Sequence, residues 1–335
     1  MRSTPGDLLP QQGAPGQSLG PAGPGRSLAI DRLRGALIVL MVGGDYLGGV
    51  GFVPAFLKHA PDIGLTVADL VAPCFIVTIG LTYGPSFARR MRTGTARAYR
   101  HVLLRYLSLI GIGAILSAGG TSVAGQPADW GVLQAIGVAG LICLIVIRLP
   151  TWARFAIGLL LLCGYQLLLD RWALDAVLHS AHGGFIGAIS WGALLVLATA
   201  VADVWRRGLG PLAICCIPLV AAAAVSALVV PVSKNRVSLS YVLISLAVSA
   251  LVVLLVELVS RAAPKRAGFL CWWGENPLAL YLLHLLLLGL VVLPGAAWWY
   301  ADAPFWLAAL QLIAILAVVS VAAWWLHRRR LRIGL

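Results

Sequence analysis

Residues 210–230 read GPLAICCIPLVAAAAVSALVV, 21 positions without a charged side chain. Wound as a helix at 1.5 Å per residue, such a run spans about 30 Å of hydrocarbon, which fits a bilayer and nothing else. Working outward in both directions gives nine more apolar stretches, so the reading is ten spans: 35–53, 65–87, 102–119, 131–148, 152–169, 184–204, 210–230, 238–259, 274–293 and 304–326. The breaks between them are short and rich in Pro, Gly and polar residues. The expectation is therefore an all-α polytopic membrane protein, one bundle of about ten transmembrane helices, occupying residues 27–335 as a single domain. Residues 1–26, rich in Pro, Gly, Gln and Ser without apolar periodicity, read as a disordered cytoplasmic tail. They contain no apolar run to serve as a cleavable signal peptide, so the first span reads as an uncleaved anchor.

Composition agrees. The 335 residues are 60% hydrophobic and 11% charged, with a mean hydropathy of +0.93; soluble domains carry about 25% charged residues. A water-soluble enzyme, a disordered protein and a nucleic-acid binder are excluded, despite the net charge of +13. Of the 25 basic residues only Lys58, Lys234 and Lys265 are Lys. Arg in place of Lys, with abundant Ala, Gly and Leu, is the composition of a G+C-rich bacterial genome. The six cysteines lie in or beside apolar runs without CxxC spacing and read as small buried hydrophobes.

Basic residues orient a membrane protein, because segments rich in Lys and Arg stay on the cytoplasmic side. With a cytoplasmic N-terminus and ten alternating spans, the inner segments hold 21 basic residues and the outer ones four: Lys58, Arg171, Lys234 and Arg236. One span more or fewer scrambles this bias. Both termini are expected inside, in the bacterial cytoplasmic (inner) membrane, and the net charge becomes a signal of topology and of the lipid bilayer.

Ionisable residues inside hydrocarbon are costly and mark function or a pathway. Asp45 falls about ten residues into the first span, Asp69 near the outer end of the second, and His284 near mid-depth in the ninth, with Glu275 and Asn276 at its inner mouth. Gln134 lies one turn into the fourth. Any one of them can be a satisfied interhelical hydrogen bond; Asp45 and His284 together, both deep, point to a site. The outer loops add Lys58, His59 and Asp62, then His179 and His182, then the run PVSKNR at 231–236. Loop histidines are ordinarily just solvated, and spacing alone does not single out His59. His179 and His182 have metal-ligand spacing but no third ligand, so no metal is expected.

Several of these segments resemble the heparan-alpha-glucosaminide N-acetyltransferase family. Lys58-His59-Ala60 followed by GLTVADLVAPCF at 64–75 is similar to that family's "KHA…GLTVADLVFPWF" run. In chain order, IDRLRG at 30–35 resembles "VDTFRG", GVLQ at 131–134 resembles "GVLQR", PVSKN and SLSY at 231–241 resemble "PVNKN…SLSY", and GENP through His284 resembles "GMNSILVYVGH". The resemblance implies transmembrane acetyl transfer: acetyl-CoA, a co-substrate, enters from the cytosol, and the acetyl group reaches an amino sugar or similar glycan acceptor on the far side. It also implies that His59 is the catalytic residue, which the topology above independently places outside. The family's Asn in a "NYGGG" run corresponds to Asp45 here, so a carboxylate stands where a neutral side chain is usual. The family's long lumenal segments have no counterpart, and the expected acceptor is something other than heparan sulfate.

Acyl transfer needs a base or an acyl carrier, and an imidazole suits either. The assignment is His59 as base or carrier with Asp69 or Asp45 orienting its ring; direct transfer and an acetyl-histidine route both stay open. Gln134, His284 and Asn276 are candidates to line a channel for the thioester arm, Arg34 and Arg105 for the CoA phosphates, and Lys58, Lys234 and Asn235 for the acceptor. The expected partners are acyl-CoA, the glycan acceptor and the bilayer, with a homodimer left open. The competing class is a multi-span transporter or flippase for a small anionic or glycolipid substrate, which symmetric halves with paired broken spans would favour. A scaffold protein would leave Asp45 and His284 unexplained.

Overall fold

A computed structural model describes residues 27–119, 129–262 and 268–333. The expected tail at 1–26 and the loop cations Lys265 and Arg266 lie outside these residues. The described chain is helical, with α1 (Leu28–Gly48), α2 (Val67–Met91), α3 (Thr95–Gly119), α4 (Val132–Val146), α5 (Thr151–Leu168), α6 (Leu174–Leu178), α7 (Gly184–Arg206), α8 (Leu209–Val229), α9 (Leu239–Ala262), α10 (Phe269–Glu275), α11 (Pro277–Val292) and α12 (Phe305–Arg328). Short 3-10 turns fill some connections, and α5 runs into α6 through a π-helical turn at 169–173, carrying the fifth apolar element to residue 178 instead of 169.

Seven of these elements are long and apolar enough to cross a membrane, and the bent pair α10–α11 makes an eighth. The chain is a polytopic helical membrane protein. The first and fourth expected spans are present as helices of another kind. α1 carries Asp31, Arg32, Arg34 and Asp45 within its 21 residues. α4 has 15 residues, about 22 Å of helix, short of the hydrocarbon thickness.

The helix α7 is the most deeply buried of the candidate spans and packs against α2, α4 and α5. Small residues let the backbones approach: a Cβ on Gly80 of α2 would sit 2.6 Å from that of Ala198, and one on Gly158 of α5 would sit 2.7 Å from Leu197. A second packed group joins α1, α10, α11 and α12. The outward faces carry Trp152, Leu160, Ile214, Ile217 and Leu228, each more than two-thirds exposed, which is the surface acyl chains cover.

The ninth expected span, 274–293, is broken. α10 and α11 meet at 92°. Pro277 opens α11, where its missing N–H costs nothing, and it forces the preceding Asn276 out of the helical region, to φ −131° and ψ 55°. The helix α10 lies instead across the start of α1. The contact is reciprocal: a Cβ on Gly35 would fall 1.9 Å from the Leu270 carbonyl oxygen, and one on Gly274 would fall 1.9 Å from that of Asp31.

Candidate active site

The helix α2 begins where it does because Asp69, in its first turn, caps it. One carboxylate oxygen, Oδ2, accepts from the Thr66 N–H at 3.0 Å, the Thr66 hydroxyl at 3.0 Å and the Ala60 N–H at 3.2 Å. The other oxygen, Oδ1, takes Nδ1 of His59 at 2.8 Å. Asp69 is fully buried, while the His59 side chain is 45% exposed. A carboxylate can only accept, so Nδ1 carries the proton, and in the neutral ring Nε2 keeps its lone pair free to accept. An imidazole held in one orientation and one tautomer by a buried carboxylate has the geometry that a general base requires.

A second loop is laced to the first. Arg236 grips Asp62 with two nitrogens, Nε lying 3.0 and 3.1 Å from the two carboxylate oxygens. The Ser233 hydroxyl donates to Asp62 at 2.7 Å, Asn235 Nδ2 donates to the Pro61 carbonyl at 2.6 Å, and Gly64 N–H to that of Val232 at 2.8 Å. The hydrogen bond from Arg236 is the largest influence holding the Asp62 carboxyl below its ordinary value. These ties deliver the buried Lys234 to 3.6 Å from Asp69 Oδ1. Burial lowers the pKa of its ammonium, and the charges of Asp69 and Asp45 oppose that shift. Lys58 sits half-buried beside His59.

Asp45 does not orient His59. Its Oδ2 meets Nε2 of His284 at 2.9 Å, so the two deep residues of spans one and nine form a second carboxylate–imidazole dyad, a pairing the sequence reading did not make. His284 is buried, and its Nδ1 is a sealed polar atom without a hydrogen-bond partner among the described residues. The ring of Tyr281, one turn earlier, lies 5.2 Å from the His284 ring.

Below these dyads opens a cavity of about 1290 Å³. Along α1 its wall runs from Ser27 to Met41, about 21 Å of helix. Arg34, Arg89, Arg90, Arg105, Arg154, Arg206 and Arg332 line it together with Asp31, Asp203 and Glu275, while Ile38, Met41, Ala72, Phe75 and Leu278 make one stretch of it apolar. It stops one helical turn short of the polar cluster on three helices at once. Met41 precedes Asp45 by four residues, Ala72 follows Asp69 by three, and Tyr281 precedes His284 by three.

Two candidates for the channel have other work. Gln134 accepts from the Gly131 N–H at 2.7 Å and the Ser117 hydroxyl at 3.0 Å, capping α4. Asn276 binds the chain's C-terminal segment. Neither lines the cavity. His182, read as a solvated loop residue, is tucked inward: it adopts φ 55°, its carbonyl accepts from Trp191 Nε1 at 3.1 Å, and it lies within electrostatic reach of His59 and Lys234. The signal for it was the following Gly183-Gly184, which also take positive φ. His179 stays exposed at the surface.

Residues 26–186 match the sequence family described as "Heparan-alpha-glucosaminide N-acetyltransferase, catalytic". That segment is similar to this family. Human heparan-alpha-glucosaminide N-acetyltransferase is 34% identical over 123 residues, and the mouse protein of the same name is 33% identical over 121. Each match covers 34% of this chain and 18% of the relative, so the chain aligns with less than a fifth of these proteins' length. The matched segment contains Arg34, Asp45, His59, Asp69, Arg105 and Gln134; Lys234, Asn235, Asn276 and His284 lie beyond it.

Proposed function

We propose that the protein is an acetyltransferase of the bacterial cytoplasmic membrane, moving an acetyl group from cytosolic acetyl-CoA to an amino sugar or similar glycan acceptor at the periplasmic face, with ten crossings and both termini cytoplasmic. One observation carries the reading: Asp69, which orients His59, lies one helical turn from Ala72 in the wall of an arginine-lined cavity. The cavity suits this co-substrate. Its arginines match a phosphate-rich head, and its apolar far end matches a slender uncharged arm.

When bound, acetyl-CoA supplies an activated thioester. Arg34 and Arg105 hold phosphate oxygens at the wide end. His59 Nε2 removes the proton from the acceptor nitrogen as that nitrogen bonds to the acetyl carbon, and the carbon–sulfur bond breaks, releasing CoA as a thiolate that takes up a proton. Asp69 keeps the ring aligned and stabilises the imidazolium. Lys234 contributes positive charge close to the reacting centre, where negative charge grows on the carbonyl oxygen. Asp45 and His284 lie one helical turn beyond the apolar end of the cavity the thioester enters, and Lys58 and Asn235 lie on the acceptor side.

The transporter reading gains one feature, the broken α10–α11 pair, since discontinuous helices line transport sites. Among the described residues the break has no counterpart in the other half. The test uses protein in nanodiscs, labelled acetyl-CoA and glucosamine. Label should reach the amine, and His59→Ala should slow transfer by about 10²–10⁴-fold with the fold intact. CoA should also raise Tm by mass action. A folded protein whose Tm ignores millimolar CoA would refute the proposal whatever the acceptor.

A further inference from the structure

The chain's last described residues return to the broken span. Asn276, wholly buried at the α10–α11 corner, binds them with both ends of its side-chain amide. Nδ2 donates to the Leu331 carbonyl at 3.1 Å, and Oδ1 accepts from the Ile333 N–H at 2.7 Å. Two bonds to backbone groups two residues apart fix the direction of the segment as well as its position. A second tie lies next to the first: Nδ1 of His327, in the last turn of α12, is 3.1 Å from Glu275 Oε2, and its ring stacks on Trp272 at 5.6 Å. The platform under both is α10, set against α1 by the reciprocal contacts of Gly35 and Gly274. Between the two bonded residues stands Arg332, and both it and Ile333 line the cavity.

A cytoplasmic tail held only by positive-inside statistics would need none of this. Arg329 and Arg330 satisfy that rule equally and are exposed like Arg332, yet neither of them lines the cavity. A buried asparagine with both amide groups engaged is a specific constraint, and what it constrains is the one tail arginine that faces the cavity.

We propose that 331–333 is a strap held across the basic mouth of the cavity by Asn276, with Arg332 a binding residue for phosphate oxyanions of the incoming donor and Asn276 its positioning residue. The inference rests on the acyl-CoA reading above and extends it. Arg332 should act on binding of the phosphate-bearing half of the donor and leave the acetyl step alone.

The test is calorimetric titration of acetyl-CoA into the full chain in phosphatidylcholine nanodiscs, with steady-state kinetics alongside. Arg332→Ala should raise Kd about tenfold, the effect of one charge-assisted contact at a partly exposed site, with kcat little changed. Arg329→Ala should bind as the wild type. Asn276→Ala should reproduce the loss, and the Arg332→Ala/Asn276→Ala double variant should be no weaker than either. Should Asn276→Ala fold poorly, Asn276→Asp keeps the acceptor for Ile333 and loses the donor to Leu331, and a smaller rise in Kd is expected. Transfer from S-acetyl-pantetheine, which has no phosphate, should be insensitive to Arg332→Ala. Unchanged acetyl-CoA binding in Arg332→Ala, while the wild type binds, overturns the strap alone. An Arg332→Ala effect confined to retention of phosphatidylglycerol assigns the residue to a lipid headgroup and also overturns it. Absence of acetyl-CoA binding by the wild type overturns the donor reading and the strap together.

Discussion

Asp69→Asn isolates the chemistry of the site, because it preserves shape and changes only which atoms donate. The carboxylate accepts from four groups, three on Oδ2 and His59 Nδ1 on Oδ1. An asparagine has one acceptor oxygen and one NH2. With the oxygen turned to the three loop donors, the NH2 faces Nδ1 of His59, which must then accept. The ring proton moves to Nε2, and that nitrogen can no longer take one from an acceptor. Transfer should fall by about 10²–10⁴-fold, the worth of a positioned general base. The cost in stability is of another size: the loop donors stay paired and Lys234 loses an ionic partner at 3.6 Å, about 1–3 kcal/mol. Rates of labelled-acetyl transfer and Tm separate the two effects. If Asp69 acts only through His59, the His59→Ala/Asp69→Asn double variant should be no slower than His59→Ala alone. A double variant that multiplies the two losses, or an Asp69→Asn rate within about threefold of wild type, would refute the tautomer argument.

Asp45→Asn keeps an oxygen for the His284 Nε2–H bond, so the fold and the bulk of the transfer rate should persist; a loss beyond about 10²-fold would show that the carboxylate itself takes part. The Asp62–Arg236 strut has a signed pH dependence. A carboxyl held below its ordinary 3.8 by Arg236 contributes its stabilisation fully above that value and loses it as pH falls through the lower folded value. Wild-type Tm should therefore fall more steeply than that of Asp62→Asn as pH is taken from about 5 to below 3.8, and parallel curves would remove the strut from the account. In a background without the six native cysteines, Cys at the exposed position 59 should label only from the periplasm and Cys at 94 only from the cytoplasm. Labelling of 94 from outside would break the ten-span topology.

How much of this was legible varies with the physics behind each feature. The apolar runs were readable because a bilayer demands an unbroken length of hydrocarbon-compatible side chain. The break at Asn276-Pro277 was written locally in the dipeptide, since proline excludes the helical region for its predecessor. Hydropathy averaged over a whole span passed across it, and α10 went unseen with it. The partner of Asp45 was not legible, because its 239-residue separation from His284 carries no periodic signal. His182 was missed because its inward turn depends on left-handed backbone at 182–184, which composition does not report.

Asp69 and Gln134 show why position alone could not sort site from scaffold. Each is a polar residue one turn into a span, and each accepts from the backbone N–H three residues earlier, Thr66 in one case and Gly131 in the other. Both answer the same need, a helix start with unsatisfied donors. They differ in what is left over. Gln134 uses the same Oε1 for Gly131 and for the Ser117 hydroxyl, and its single acceptor atom is then committed. The carboxylate of Asp69 satisfies the helix and its loop with Oδ2 and keeps Oδ1, with its negative charge, for His59. The residue type at the third position of the helix decides whether a cap is only a cap. Gln at 69 would start α2 equally well and leave His59 without a carboxylate to hold its proton.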